Sequence, residues 1–371
     1  MATRNIVLII GNGFDLDLGL KTSYKDFWGS SFCPKNYPAP LIRHLNSYVD
    51  GDSRDIRWFD FENELLNYAL RGDKSDVVND TELHYIRTHE DYKLALSLTY
   101  GVGDDYDVFK SLIDKGFIEI SMNNIGVRSA RIPYREDYAL SSRDRDMQAF
   151  LLIKSKLREY FQSLSYTSLR NDSVSRAIVQ AVKKAKEKGD SVDLFSFNYT
   201  PFYYSDKVLD DSCVHHIHGD YQNNIILGTR DDVALSRDYD FVQKSSDPNY
   251  EASLLYAKID KADEIIIFGH SLGDSDSQYF MSFLNNIVSS RESTKRITIF
   301  TKDNTSESEI KRSLKLMTSG KLLELINRTG LRFFKTVQIN SQQSEMKQFL
   351  MRFFDNETTV ETLIGKLLLT R

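Results

Sequence analysis

The chain has 371 residues, a formal net charge of −5, two cysteines, seven histidines, 18 glycines and six prolines. So little glycine and proline excludes collagen-like and low-complexity architecture, and the two cysteines, Cys33 and Cys213, can build neither a disulfide framework nor a four-cysteine zinc site. The acidic balance leaves no whole-chain footprint for nucleic acid, and the length implies two domains or one core with a large insertion.

Residues 5–10 read as a buried strand ending abruptly at Gly11-Asn12-Gly13. A continuous run rich in Ile and Val fits a parallel strand covered on both faces. This run is too short for a secretory signal and lacks a cleavage pattern, and no stretch approaches the ~20 apolar residues of a membrane span. A soluble, cytoplasmic protein with no membrane partner is therefore expected. The stretch from about 37 to 170 is dense in helical patterns, at 58–70, 81–100 and 144–164, with a strand-like piece at 117–122 and a polar connector through Pro133. An acidic cap, Ile178, Val179 and Val182 at helical spacing, basic residues near the end and then Gly189 predict a helix over 172–188.

From about 190 onward, strand-like runs at 192–197, 214–217, 224–227, 264–268, 296–300 and 331–337 alternate with helical patterns such as 274–289. That alternation predicts an α/β fold, a Rossmann-like, mostly parallel sheet. The expected division is a core of 1–36 plus 190–340, a mainly helical insertion at 37–189 whose last helix packs on the core, and C-terminal helices at 341–371. The amphipathic segment 358–369 reads as a docking or oligomer surface, and a homo-oligomer is expected.

Four short constellations flank these strands. Gly11-Asn12-Gly13-Phe14-Asp15 lets backbone approach a phosphate or ribose, although Asp15 and Asp17 oppose a phosphate; the plain alternative is a tight strand-to-helix turn. Asn198 in Ser196-Phe197-Asn198-Tyr199-Thr200 follows a strand end, where it either orients a hydroxyl or water or caps a helix. In His215-His216-Ile217-His218-Gly219-Asp220, a strand places His216 and His218 on one face. A general base is the favoured reading there, with a metal site from His216, His218 and a carboxylate as the alternative. Gly269-His270-Ser271-Leu272-Gly273 matches the nucleophile elbow of esterases, but no histidine follows His270 in the chain, as that triad order requires. The same loop followed by Asp274 and Asp276 suits a ribose site better than a phosphate site. Glu62, opening a helix in Trp58-Phe59-Asp60-Phe61-Glu62, either complements the helix dipole or edges the site.

Together with Gly19-Leu20-Lys21-Thr22-Ser23-Tyr24-Lys25-Asp26-Phe27, these motifs resemble the bacteriophage abortive-infection AbiH family, over most of the chain apart from the insertion. That family is in turn similar to sirtuin-like NAD-binding domains. The resemblance implies NAD as ligand or substrate, with no metal, and a phage-derived trigger as partner. It implies catalytic roles for Asn198, holding the nicotinamide ribose and water, and for His218, the general base. With the loop readings above, nucleotide contacts are expected from Gly11, Asn12, Gly13, Phe14, Asp15, Thr22, Ser23, Tyr24, Tyr199, Gly269, His270, Ser271, Asp274 and Asp276. Of these, Gly269 and Ser271 match the adenosine-side ribose loop of sirtuin-like proteins, and Thr22, Ser23 and Tyr24 replace a segment those proteins carry. Thr200 stands where sirtuin-like proteins carry an acidic residue, and the sirtuin zinc module is absent. The implied activity is therefore hydrolysis of NAD in anti-phage defence rather than protein deacylation. A nucleotide-binding sensor without turnover is the alternative.

Overall fold

The computed structural model describes residues 3–50, 60–71, 80–100, 105–115, 117–122, 128–132, 142–167, 169–202, 211–290 and 294–368. Its centre is a six-stranded parallel sheet of β1 (Asn5–Ile10), β4 (Ser191–Ser196), β5 (Val214–His216), β6 (Glu264–Phe268), β7 (Arg296–Thr301) and β8 (Arg332–Lys335). A separate antiparallel hairpin pairs β2 (Glu119–Met122) with β3 (Arg128–Arg131). The six strands lie in the order β5-β4-β1-β6-β7-β8, the Rossmann order, as the α/β reading expects. The order reverses beside β1, so the switch point lies between the carboxyl ends of β1 and β6.

Alternation along each strand divides the core into two layers. Ile6, Leu8 and Ile10 of β1, with Ile266 and Phe268 of β6, face the helix Val174–Glu187 and the C-terminal helices. Val7, Ile9, Ile265 and Ile267 face the helices Ser253–Lys261, Ser277–Ser289 and Asn304–Met317. Residues 6–10 are each 2 % exposed or less. Burying side chains of this size contributes roughly 1.5–3 kcal/mol apiece before the entropy of ordering them.

The helix Val174–Glu187 begins one residue after Ser173, whose side chain accepts the Arg176 amide; Ser173, not an acidic residue, is the cap. The helix Glu357–Leu368 buries Val360, Ile364 and Leu367 in the same layer as Phe349 and Phe353, so this face docks on the chain's own core. Leu369 lies outside the described residues.

The helical region forms its own apolar cluster from Pro40–Asp50, Phe61–Arg71 and Ser142–Ser163, joined by Phe27, Trp28, Tyr199, Tyr221, Leu227 and Tyr239. Buried Asp146 ties these helices together, accepting the Leu41 amide at 2.9 Å and the hydroxyls of Tyr68 at 2.6 Å and Tyr239 at 2.9 Å. Because Tyr199 follows β4 and Tyr221 follows β5, the cluster covers the carboxyl ends of these strands.

Several elements differ from expectation. The 81–100 pattern is two helices, Asp80–Thr88 and Asp91–Tyr100. At the break, Thr88 Oγ1 donates to the His84 carbonyl at 2.9 Å, a local bond that competes with helix continuation. Residues 224–227 form no strand of the sheet. Ile225 makes an isolated antiparallel bridge with Gly219, and Ile225 and Leu227 are spent on the helical cluster. β5 stops at His216, so His218 lies in the following turn and shares no strand face with it. The last strand covers only Arg332–Lys335, and a 3₁₀ segment, Thr336–Gln342, follows. Trp58 and Phe59 lie outside the described residues, as do 123–127 and Pro133 of the connector, whose residues 128–131 form β3 rather than a plain connector.

Candidate functional site at the sheet switch point

β1 turns at Gly11 directly into the short helix Asn12–Asp17, and this first turn meets the loop after β6 backbone to backbone. The Gly11 amide donates to the Phe268 carbonyl at 3.0 Å, and the Gly13 amide to the Gly269 carbonyl at 2.8 Å. Gly269 sits at φ +64°, and a Cβ there would lie 2.3 Å from the Phe14 nitrogen; one on Gly13 would lie 2.7 Å from Gly269 Cα. These glycines are needed for the two loops to touch, a demand within the chain that would exist without any ligand. Phe14 is buried edge-on against Phe268, and Gly219, also at positive φ, packs against the Asn224 carbonyl.

Beside the first loop, Asn198 Nδ2 donates to the Gly11 carbonyl at 3.1 Å, and Thr200 Oγ1 donates to Asp15 Oδ2 at 2.7 Å. Asp15 is 4 % exposed, and burial pushes its carboxyl from the ordinary 3.8 up to about 7, against the lowering effect of its bonds to Thr200 and Asn198. Thr200, at the place the family resemblance marks as a departure, thus supports a carboxylate supplied by the first loop. Thr22 Oγ1 donates to Asn12 Oδ1 at 2.6 Å. Ser23 caps the helix Tyr24–Trp28 in a capping box with Asp26.

A second group is organised around Asp276. Its Oδ1 accepts from Lys244 Nζ at 2.8 Å and lies 3.5 Å from His218 Nε2, while its Oδ2 lies 3.3 Å from His270 Nε2. His270 Nδ1 accepts the Leu272 amide at 3.0 Å, so in the neutral ring the proton is on Nε2, which is near Asp276 without the geometry of a hydrogen bond. Lys244 Nζ also donates to Glu62 Oε2 at 2.9 Å, and Tyr24 OH donates to Glu62 Oε1 at 3.2 Å and lies 3.0 Å from Tyr199 OH. On the other flank Tyr250 OH donates to Tyr279 OH at 3.0 Å, and Tyr279 OH lies 3.4 Å from His218 Nε2.

Charge in this group follows from burial and proximity. Burial is the largest influence on Asp276 and opposes its ionisation, yet the Lys244 ammonium together with His270 and His218 holds the carboxyl well below the usual range. Burial likewise works against Lys244, but Asp276 and Glu62 keep its pKa above the ordinary lysine value. Glu62 is pushed up to about 7, because burial and nearby Asp276 exceed the help of a lysine already shared. Burial and then the Lys244 charge push His218 down to about 3, so its imidazole is neutral at physiological pH.

Among the sequence-predicted residues, the fold brings together Asp15 with Asn198, and His218 with His270, Asp276, Tyr24 and Tyr199. Asp274 and Ser271 are exposed, and Ser271 Oγ accepts the Gly273 amide of its own loop at 3.3 Å. His215 Nε2 stands 3.3 Å from Asp193 Oδ1, away from His218's partners. Glu62, at the start of its helix, accepts from Lys244 and Tyr24. Sequence reasoning missed Lys244, Tyr250 and Tyr279. Lys244 sits in a polar stretch with no periodicity, and its partners are 182 and 32 residues away. Among the described residues, no three or more His, Cys, Asp or Glu side chains are grouped to hold a metal ion.

No curated protein and no solved structure matches this chain. The family model described as bacteriophage abortive infection AbiH matches residues 7–300, which takes in the first loop, the helical region and the loops carrying Asn198, His218, Lys244, His270 and Asp276. The chain therefore belongs to the bacteriophage abortive infection AbiH family.

Proposed function

We propose that this abortive-infection protein consumes NAD, hydrolysing it to nicotinamide and ADP-ribose at the switch point of its sheet. The observation that carries the reading is the clustering of Asp15, Asn198, His218, His270 and Asp276 at the carboxyl ends of adjacent parallel strands, the region where open α/β sheets bind nucleotides. The residues suit the nicotinamide ribose in chemical type. Asn198 offers an amide already aimed at the first glycine loop, and Asp15 is a buried acceptor for a hydroxyl.

Nicotinamide leaves as a neutral base, so cleavage needs little acid catalysis. Water bonds to the anomeric carbon as the carbon–nitrogen bond breaks, and its proton passes to a base and then to solvent. Glycosidases meet the same requirement at an oxocarbenium-like centre. His218 is the base in this reading. A pKa near 3 makes it weak, but water that has bonded to the ribosyl carbon is a far stronger acid than imidazolium. Removing such a base costs ~10²–10⁴-fold.

One observation favours a second reading, a nucleotide-binding sensor without turnover. His218 is 3 % exposed, and its Nε2 already faces Tyr279 and Asp276. The two readings separate when purified protein is incubated with NAD, with and without a phage-derived trigger, and nicotinamide release is followed. Release by wild type that falls at least 100-fold in His218→Ala supports the hydrolase. NAD binding without release under any trigger supports the sensor.

A further inference from the structure

Lys244 carries its charge into the centre of this buried cluster. It is 0 % exposed, and its three ammonium protons are directed to Glu62 Oε2 at 2.9 Å, Asp276 Oδ1 at 2.8 Å and the Ser275 carbonyl at 3.4 Å. Its backbone is fixed as tightly. The Lys244 amide donates to the Thr229 carbonyl at 3.1 Å, and the Thr229 amide to the Val242 carbonyl at 2.7 Å. A buried ion pair is weak grounds for stability, since apolar side chains of similar volume commonly serve as well. What the lysine does here that an apolar residue could not is hold one carboxylate in place. Asp276 is a carboxylate common to both histidines, with Oδ1 nearest His218 and Oδ2 nearest His270, while the Phe197 ring packs against both imidazoles. The ammonium's other carboxylate partner, Glu62, belongs to the helix Phe61–Arg71 of the helical region.

We infer that Lys244 is a positioning residue of this site: its ammonium fixes Asp276 between the His218 and His270 rings and fastens the helix carrying Glu62 to the same carboxylate. The arrangement of the two imidazoles then depends on how that helix is seated. A displacement that draws Glu62 away leaves Lys244 on Asp276 and the Ser275 carbonyl, and one that carries Lys244 along frees Asp276 to turn. The groups facing His218 are Lys244, Asp276, His270, Tyr279 and Tyr199, contributed by four separate segments. The Lys244 charge helps keep the His218 ring unprotonated.

The activity arm of the test rests on the hydrolase reading; the spectroscopic arm does not. Ring ¹⁵N shifts of His218 and His270 are recorded against pH in wild type, Lys244→Met, Lys244→Arg and Glu62→Gln, alongside kcat and KM for nicotinamide release. In Lys244→Met the expected result is a His218 midpoint moved up toward the ordinary histidine range, a changed His270 Nε2 shift, and kcat down at least tenfold with KM for NAD within threefold. Lys244→Arg restores the wild-type ring shifts at least in part, and Glu62→Gln perturbs them less than Lys244→Met. Ring shifts and midpoints in Lys244→Met indistinguishable from wild type overturn the proposal, whatever the activity. If Lys244→Met does not fold, Glu62→Gln decides, and unaltered ring shifts there overturn it. Absence of nicotinamide release from wild type defeats the hydrolase reading while the ring shifts still decide the role of Lys244.

Discussion

Asp15→Asn separates the demands of the site from those of the fold. Asp15 is 4 % exposed, and burial pushes its carboxyl from the ordinary 3.8 to about 7. The folded protein thus binds the Asp15 proton more tightly than the unfolded chain does. The stability this group contributes is complete below pH 3.8 and is lost as pH rises through about 7. The two values are about three pH units apart and each is worth about 1.4 kcal/mol, so ionised Asp15 disfavours the fold by up to about 4 kcal/mol at pH 8. Asparagine is neutral throughout and keeps an oxygen to accept the Thr200 hydroxyl. Urea unfolding should therefore show Asp15→Asn stabilised relative to wild type at pH 8, by a few kcal/mol at most, with the gain shrinking toward nothing near pH 4. An equal gain at both pH values, or a loss of stability at pH 8, would refute the reasoning. A stabilised variant that releases less nicotinamide would mark Asp15 as a place where stability is surrendered to chemistry.

Gly269→Ala must place a Cβ at φ +64°, 2.3 Å from the Phe14 nitrogen. Left-handed backbone and overpacking together should cost about 2–5 kcal/mol, read as a lowered Tm; an unchanged Tm would mean that the two glycine loops do not pack as described. Leu367→Ala should cost about 2–5 kcal/mol with the oligomeric mass unchanged, because the helix docks within its own chain. A changed mass at constant stability would make that face an intermolecular surface. Ser23→Ala removes a capping box and should lose about 1 kcal/mol in urea unfolding while NAD binding is retained. Lost binding at full stability would instead give Ser23 a ligand role.

The sheet was legible because β1 and β6 are nearly continuous apolar runs and β7 interrupts its own only with the buried Thr298, and two-sided burial writes itself into the chain that way. The stretch 224–227 has the same apolar character but pairs with nothing beyond a single bridge. Local composition cannot tell a sheet strand from a segment buried under helices. The site was legible where its residues adjoin strand ends, as Asn198, His218 and His270 do. It was illegible where one residue bridges distant segments. Lys244 meets Glu62 and Asp276 only because a polar segment folds back under the helical region, and nothing within a few residues of Lys244 signals that encounter. The glycines Gly13 and Gly269 have a cause within the chain, since they make room for each other.

Consumption of NAD is tested most directly in infected cells. NAD is measured through a phage infection in cells producing the wild-type chain, Asn198→Ala or His218→Ala at equal abundance. The hydrolase reading predicts that NAD collapses after infection in wild-type cells, with nicotinamide rising in step, and holds steady in both variants as protection is lost. NAD that stays constant in wild-type cells while they still abort the infection would contradict it.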